Sequence, residues 1–342
     1  MTMTNRRALL AGLGAATAAP FVLPRRALAA SDTIRVGILS LTSHAPALIA
    51  AAKGYFKEQG FEVKLVMFQA AQPMAVAIAS GDIDFGMTAI SGGLVSLAQK
   101  GAIRIIGGAL QEHEGIEGQK ILASKKAHDA GLKTPADLKG HSFGLTTAGS
   151  SFNYMADMIA KKSGFPASDM RLVPLQKVPA IIASLKSGQI DAWSIVPNIA
   201  DALTKGPEVV EIGKISDYIP DYQVTTVFTS ARIADTKPEI AKRYIAALSK
   251  GIDDYNNALV YKKADQAEVD AITKIIHQYV YSDQPLEKAA PRIQHGAMLC
   301  NPGAALTMSS VKSQLEWLQG ANMAPKDVTL DQLVKTGYVK TL

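Results

Sequence analysis

The chain has 342 residues, 48% of them hydrophobic and 19% charged, with a formal net charge of +6. That supplies core for about two ordinary lobes and excludes intrinsic disorder. With 6% aromatics and no long Lys/Arg block, a nucleic-acid binder is disfavoured, and the single cysteine, Cys300, excludes a disulfide framework or a cysteine metal cluster.

Residues 1–30 read as an export signal. Arg6-Arg7 precedes a 16-residue apolar run at 8–23, followed by Pro24, Arg25, Arg26 and the small-residue segment Ala27-Leu28-Ala29-Ala30. The run is short of the roughly 20 residues that span a bilayer. The arginine pair and mild hydrophobicity favour the twin-arginine route over Sec. Cleavage removes four Arg and no acid, so +6 becomes +2 and no polyanion partner follows from the charge. Cys300, beside Met298 and Leu299, reads as a buried small hydrophobe.

A strand at 34–39 is followed by an Ala-rich helix at 45–57, an alternating strand at 61–68, a helix at 73–79 and a strand at 83–87. Gly81 stands where a helix end wants positive φ. A fourth strand is expected at 104–110. Thr134 and Pro135 open a short helix as N-cap and first residue. Strand 142–145, helix 152–162, strand 170–175, helix 179–186 and strand 190–195 then repeat the earlier order. Sliding the chain by 107 residues gives nine identities over the 48 pairs from 37 to 84, among them Gly37/Gly144, Ser43/Ser150 and Asp84/Asp191. Composition alone gives roughly three. Each copy is a βαβαβ unit of a doubly wound parallel sheet. Strands at 209–212 and 224–229 follow, then only helices, at 238–262, 268–281, 304–320 and 331–335. This tail is expected to cover the first lobe's sheet.

Open α/β sheets bind ligands beyond the carboxyl ends of their strands, so the cleft between two such lobes is the expected site. The facing segments are 40–45, 69–72 and 87–91 in the first copy and 146–153, 176–178 and 195–198 in the second. They nominate Ser43, His44, Gln69, Thr88, Ser91, Gly149, Ser150, Ser151, Phe152 and Asn198. Small residues opening a helix at 149–151 can cradle an anion on free N–H groups and hydroxyls. His113 fits either a cleft contact, a solvated loop or a metal site with its flanking carboxylates. Trp193 fits either burial in the lobe or stacking on a ligand ring. Asp84 and Asp191 read as strand-start caps, and the Ser80-Gly81 and Ser187-Gly188 turns as structural. No catalytic residue, metal or cofactor is expected, since the six histidines lack ligand spacing.

The chain resembles the periplasmic solute-binding proteins of ABC importers, in the branch that binds taurine, aliphatic sulfonates, nitrate and thiamine-pyrimidine precursors. The carrying motifs are Ala45-Pro46-Ala47-Leu48 through Lys53-Gly54-Tyr55-Phe56, Gly60-Phe61-Glu62-Val63, Ala79-Ser80-Gly81-Asp82-Ile83-Asp84-Phe85-Gly86, Asp137-Leu138-Lys139-Gly140, Gly149-Ser150-Ser151 and Ser187-Gly188-Gln189-Ile190-Asp191-Ala192. The resemblance implies a type II periplasmic-binding-protein fold, two α/β lobes joined by hinge strands near 120–124 and 224–230. The lobes would be 31–122 plus 228–342 and 123–227. It also implies an exported, soluble, periplasmic monomer that closes on a small molecule and docks on a permease served by an ATPase. Residues 87–99 contain no Arg or Lys, which disfavours a free amino acid as ligand, and Lys177 is the one cation in the facing segments. A small organic anion, a sulfonate or aromatic carboxylate, is the expected ligand. A neutral heterocycle or an enzyme of the same fold are the alternatives.

Overall fold

The computed structural model describes residues 32–342, and the expected export signal lies outside them. The first sheet is built from β1 (Asp32–Leu39), β2 (Phe61–Phe68), β3 (Phe85–Thr88) and β4 (Ile103–Gly108). Their helices are α1 (Ala45–Ala52), α2 (Tyr55–Glu58), α3 (Ala71–Ser80) and α4 (Gly92–Gln99). The expected single helix at 45–57 is two, because Gly54 takes a left-handed φ of 80° between them. The second sheet holds β5 (Lys120–Ser124), β6 (Ser142–Leu145), β7 (Arg171–Pro174), β8 (Ala192–Ile195) and β9 (Val209–Lys214). Its helices are α5 (Lys125–Asp129), α6 (Ser151–Lys162), α7 (Val178–Lys186) and α8 (Pro197–Thr204). The chain then returns through β10 (Thr226–Ser230) and α9 (Ala231–Thr236). The tail follows as α10 (Pro238–Tyr255), α11 (Gln266–His277), α12 (Leu286–His295), α13 (Met308–Gly320) and α14 (Leu330–Leu333).

Strand order is β2-β1-β3-β10-β4 in one sheet and β7-β6-β8-β5-β9 in the other. The sequence reading expects parallel sheets, but neither is wholly parallel. β10 runs antiparallel between β3 and β4, and β5 antiparallel between β8 and β9. The chain leaves each sheet, crosses, and enters the other as its reversed fourth strand. The segments expected as hinges at 120–124 and 224–230 are therefore interior strands, and the crossing backbone lies just before them. The two crossings pair at Gln111 and Gln223, and the Glu112 N–H donates to the Tyr222 carbonyl at 2.9 Å.

The repeat holds at the level of atoms. Gly37 pairs with Val66, and Gly144 with Val173, both shifted by 107. A Cβ on Gly37 would meet Ile83 and Met74 at 2.6 and 2.9 Å; one on Gly144 would meet Ile190 and Ile181 at 2.5 and 2.9 Å. Every partner is the equivalent residue, so both glycines permit the same close passage of helix over strand. Asp84 accepts the Arg35 N–H and Asp191 the Ser142 N–H, each at 2.8 Å. Both aspartates stand just before a third strand, where the sequence reading has strand-start caps, and each also pins that strand to a first one.

The first sheet is covered on both faces. Tyr244 of α10 stacks on Phe85 with ring centroids 3.8 Å apart, and a Cβ on Gly251 would lie 2.1 Å from the Pro46 carbonyl, so α10 lies close on α1. Val311, Leu315 and Val334 of the tail pack with Met74 and Phe228 on the other face. The tail does more than cover this sheet, because α12 packs against α8 of the second lobe. Cys300 is fully buried, and burial pushes its thiol pKa up.

Candidate functional site

Strand ends and helix starts from both lobes meet at a cavity of about 80 Å³. Leu39 and Thr88 end β1 and β3; Thr146 and Ile195 stand at the ends of β6 and β8. The lining repeats the 107-residue offset: Leu39 with Thr146, Ser43 with Ser150, His44 with Ser151, Ala71 with Val178, Thr88 with Ile195 and Ala89 with Val196. The cavity thus straddles the approximate symmetry of the duplicated lobes. Gln119 and Thr225, the residues just before the two reversed strands, close it from the crossing side.

Five helices begin at this cavity. His44 and Ser150 occupy the N-cap positions of α1 and α6, Ala70 and Val196 those of α3 and α8, and Val178 is the first residue of α7. A helix start leaves backbone N–H groups without intrahelical partners and carries about half a positive charge. Among the described residues, no lysine, arginine, aspartate or glutamate lines the cavity.

Two lining groups lack partners. His44 is 1% exposed with Nδ1 unbonded, and the Ser150 hydroxyl is buried and unbonded. Each leaves a hydrogen-bonding atom free for an occupant of the cavity. Burial lowers the His44 pKa to about 3, so the imidazole is neutral and offers one donor and one acceptor. Behind the wall, Glu112 accepts from the Gln119 N–H at 3.0 Å and from its amide at 3.2 Å. Burial pushes this carboxyl up to about 7 against those bonds.

Of the nominated residues, Ser43, His44, Thr88, Ser150, Ser151 and Phe152 line the cavity. Gln69 lines an adjoining outer chamber of about 480 Å³. Ser91 lies off the cavity as the cap of α4, accepting from the Leu94 N–H at 3.2 Å. Gly149 serves through its backbone, its carbonyl accepting the Gly92 N–H from the other lobe at 3.1 Å. Asn198 ties the lobes: Thr42 Oγ1 donates to its Oδ1 at 3.0 Å and its Nδ2 donates to the Tyr281 hydroxyl at 2.9 Å. Trp193 is fully buried in the second lobe behind Phe152, with ring centroids 5.5 Å apart, and does not reach the cavity. His113 is on an exposed loop, bonded to the Glu114 carbonyl at 2.7 Å, and borders a solvent-facing hollow of about 770 Å³ instead. Among the described residues, no unpartnered buried polar atom lines that hollow. Gln119 and Thr225 were missed because they belong to no regular element; their common place before a reversed strand appears only once the topology is known.

Among the described residues, no group of three His, Cys, Asp or Glu is arranged to hold a metal, and no helix is long and apolar enough to cross a membrane.

A family model described as NMT1/THI5 like matches residues 41–278. No curated protein matches the chain. Among solved structures, the alkanesulfonate-binding protein SsuA from Xanthomonas axonopodis pv. citri bound to MOPS aligns over 89% of this chain and 98% of its own, at 20% identity and TM-score 0.69. The periplasmic nitrate-binding protein NrtA from Synechocystis PCC 6803 aligns over 88% of this chain and 83% of its own, at 14% identity and TM-score 0.68. The desulfurization enzyme DSZB aligns over 90% and 97%, at 16% identity and TM-score 0.58. At these identities the likeness is one of fold.

Proposed function

The chain belongs to the NMT1/THI5-like family, and on that premise we propose that it is the periplasmic substrate-binding protein of an ABC importer. It captures a small organic anion of the sulfonate or aromatic carboxylate type between its lobes and delivers it to a membrane permease with its ATPase. The observation that carries this reading is the convergence of five helix starts from both lobes on one cavity that lacks any charged side chain. Each helix start favours a negative group by about 0.3–1 kcal/mol at a surface and up to about 2 kcal/mol when partly buried. Neutral His44 and the Ser43, Ser150 and Ser151 hydroxyls supply directional contacts. Because the lining comes from both lobes, an occupant favours the closed arrangement, and the permease reads that population.

Two other readings have an observation each. A neutral heterocycle would suit the donor and acceptor of neutral His44. An enzyme has the DSZB likeness in its favour, but no carboxylate lines the cavity to orient His44, and neither His44 Nδ1 nor the Ser150 hydroxyl has a hydrogen-bond partner, so no nucleophile–base pair is formed.

The test is a thermal-shift screen with nitrate, methanesulfonate, taurine, benzoate and a pyrimidine. An anion should raise the melting temperature by mass action, about 2.7 kcal/mol of stabilisation at a hundredfold excess over Kd. Ser150→Val should abolish that rise while the unliganded protein still unfolds cooperatively. Stabilisation by the pyrimidine alone would replace the anion with a neutral ligand.

A further inference from the structure

The cavity is small for an organic acid. At about 80 Å³ it has room for two or three waters or one compact acidic group, being about half the volume of a cavity near 150 Å³ that holds one benzene ring. The body of a larger ligand has to lie elsewhere. Leu39, Leu41 and Val178 line both this cavity and the outer chamber, so the two hollows adjoin across these side chains. The chamber, about 480 Å³, is within the range of small-molecule sites. Its inner wall is apolar, with Phe68, Pro179 and Ile182 beside the shared residues.

Its outer end is different. There α12 and the turns before it bring in Arg292, Tyr281 and Asp283, and α7 brings in Lys186. Arg292 is half-buried and enters no ion pair among the described residues. It is held by Gln284 Oε1 at 3.0 Å and lies over the Tyr281 ring at 5.7 Å. Tyr281 is fixed in turn: it has a left-handed φ of 59°, its hydroxyl accepts from Asn198 Nδ2, and it donates to the Asn198 carbonyl at 3.1 Å. A non-glycine residue in that conformation is held there by its surroundings. The tail therefore presents an oriented, unpaired guanidinium to the chamber, with Lys186 adding to its charge and Asp283 opposing it.

We propose that Arg292, assisted by Lys186, is the second anchor of a bipartite site, and that the ligand is a bifunctional organic acid. One acidic group enters the inner cavity, an apolar body fills the chamber, and a second acidic group meets Arg292. A guanidinium suits this task because its planar fork takes a carboxylate or sulfonate in two parallel hydrogen bonds. The inference rests on the anion reading above and adds the second charge and the residue that selects it.

Isothermal titration with matched pairs tests it: benzoate against benzene-1,4-dicarboxylate, and hexanoate against hexanedioate. In the wild-type protein one diacid should bind at least ~10-fold tighter than its monoacid. In Arg292→Gln that ratio should fall to within about twofold, and Arg292→Lys should restore part of it. Lys186→Gln, at an exposed position, should lower the ratio by about threefold, and it keeps the proposal open to refutation if Arg292→Gln does not fold. Monoacids that bind as well as their diacids, or a ratio that neither substitution changes, would overturn the second anchor and leave the first standing. Failure of all four acids to bind, with nitrate, methanesulfonate and taurine also giving no thermal shift, would remove the anion reading itself, and this inference with it.

Discussion

The two lobes agree where they fold and differ where they face each other. Gly37 and Gly144 lie under equivalent side chains, and Asp84 and Asp191 pin equivalent strands at equal distance. At the cavity only Ser43 and Ser150 are the same residue; His44 stands opposite Ser151, Ala71 opposite Val178, and Thr88 opposite Ile195. A duplicated framework holds its glycines and strand pins because close helix-on-strand packing and strand pairing constrain them. The helix starts carry no such constraint, so they are free to become two unlike walls of one site. The tail widens the difference, since it covers the first sheet and then carries Tyr281 and Arg292 across to the second lobe's side.

The largest expected effect tests the unlike pair. His44 has a folded pKa of about 3 against an ordinary 6.5, because of burial. Below pH 6.5 the unfolded chain takes up a proton that the folded one refuses, so stability is full above pH 6.5 and falls as pH drops toward 3. The slope is about 1.4 kcal/mol per pH unit. Urea unfolding at pH 7 and 4.5 should show an acid loss of about 2–3 kcal/mol from this residue, absent in His44→Gln. The equivalent Ser151 has nothing to titrate, so Ser151→Ala should leave the acid slope unchanged. An anion bound beside His44 should shrink the wild-type loss.

A smaller effect tests the like pair of pins. Asp84→Ala and Asp191→Ala should each cost about 2 kcal/mol, the range for a hydrogen-bonded charged group, and should match within about 1 kcal/mol. Burial works to raise the Asp191 pKa, but the Ser142 N–H and hydroxyl, with His141 and Arg171 nearby, outweigh it and hold the carboxyl below its usual range. Its contribution is thus present above the unfolded pKa and lost as pH falls through the lower, folded one. Unequal costs for the two variants in urea would mean that the copies are no longer mechanically equivalent. The smallest effect should come from Gly37→Ala and Gly144→Ala. The nearest atoms, the Ile83 and Ile190 Cδ1 tips, can shift, while Met74 Cγ and Ile181 Cγ2 lie at 2.9 Å behind them, so each should lose about 1–2 kcal/mol in the same assay, and a cost confined to one would break the comparison.

Much of this was legible in the residues. The period-two and helical patterns gave both βαβαβ copies, and the offset of 107 placed Ser43 and Ser150 at matching helix starts. Both line one cavity. Trp193 and His113 were open to two or more readings because a strand residue's face and a loop's direction depend on what packs around them; the fold buries one and exposes the other.

What the sequence determined by itself is the local and the repeated: which stretches are strand or helix, where the chain duplicates, and which helix starts carry small polar residues. These follow from side-chain period and backbone preference within a few neighbours. Only the tertiary structure decided that each sheet receives a reversed strand from the other crossing, that Gln119 and Thr225 close the cavity, and that Arg292, more than a hundred residues from Ser150 in the chain, stands at the outer end of the same hollow. Those placements depend on contacts between segments far apart in sequence, and no local pattern records which distant partner a residue meets.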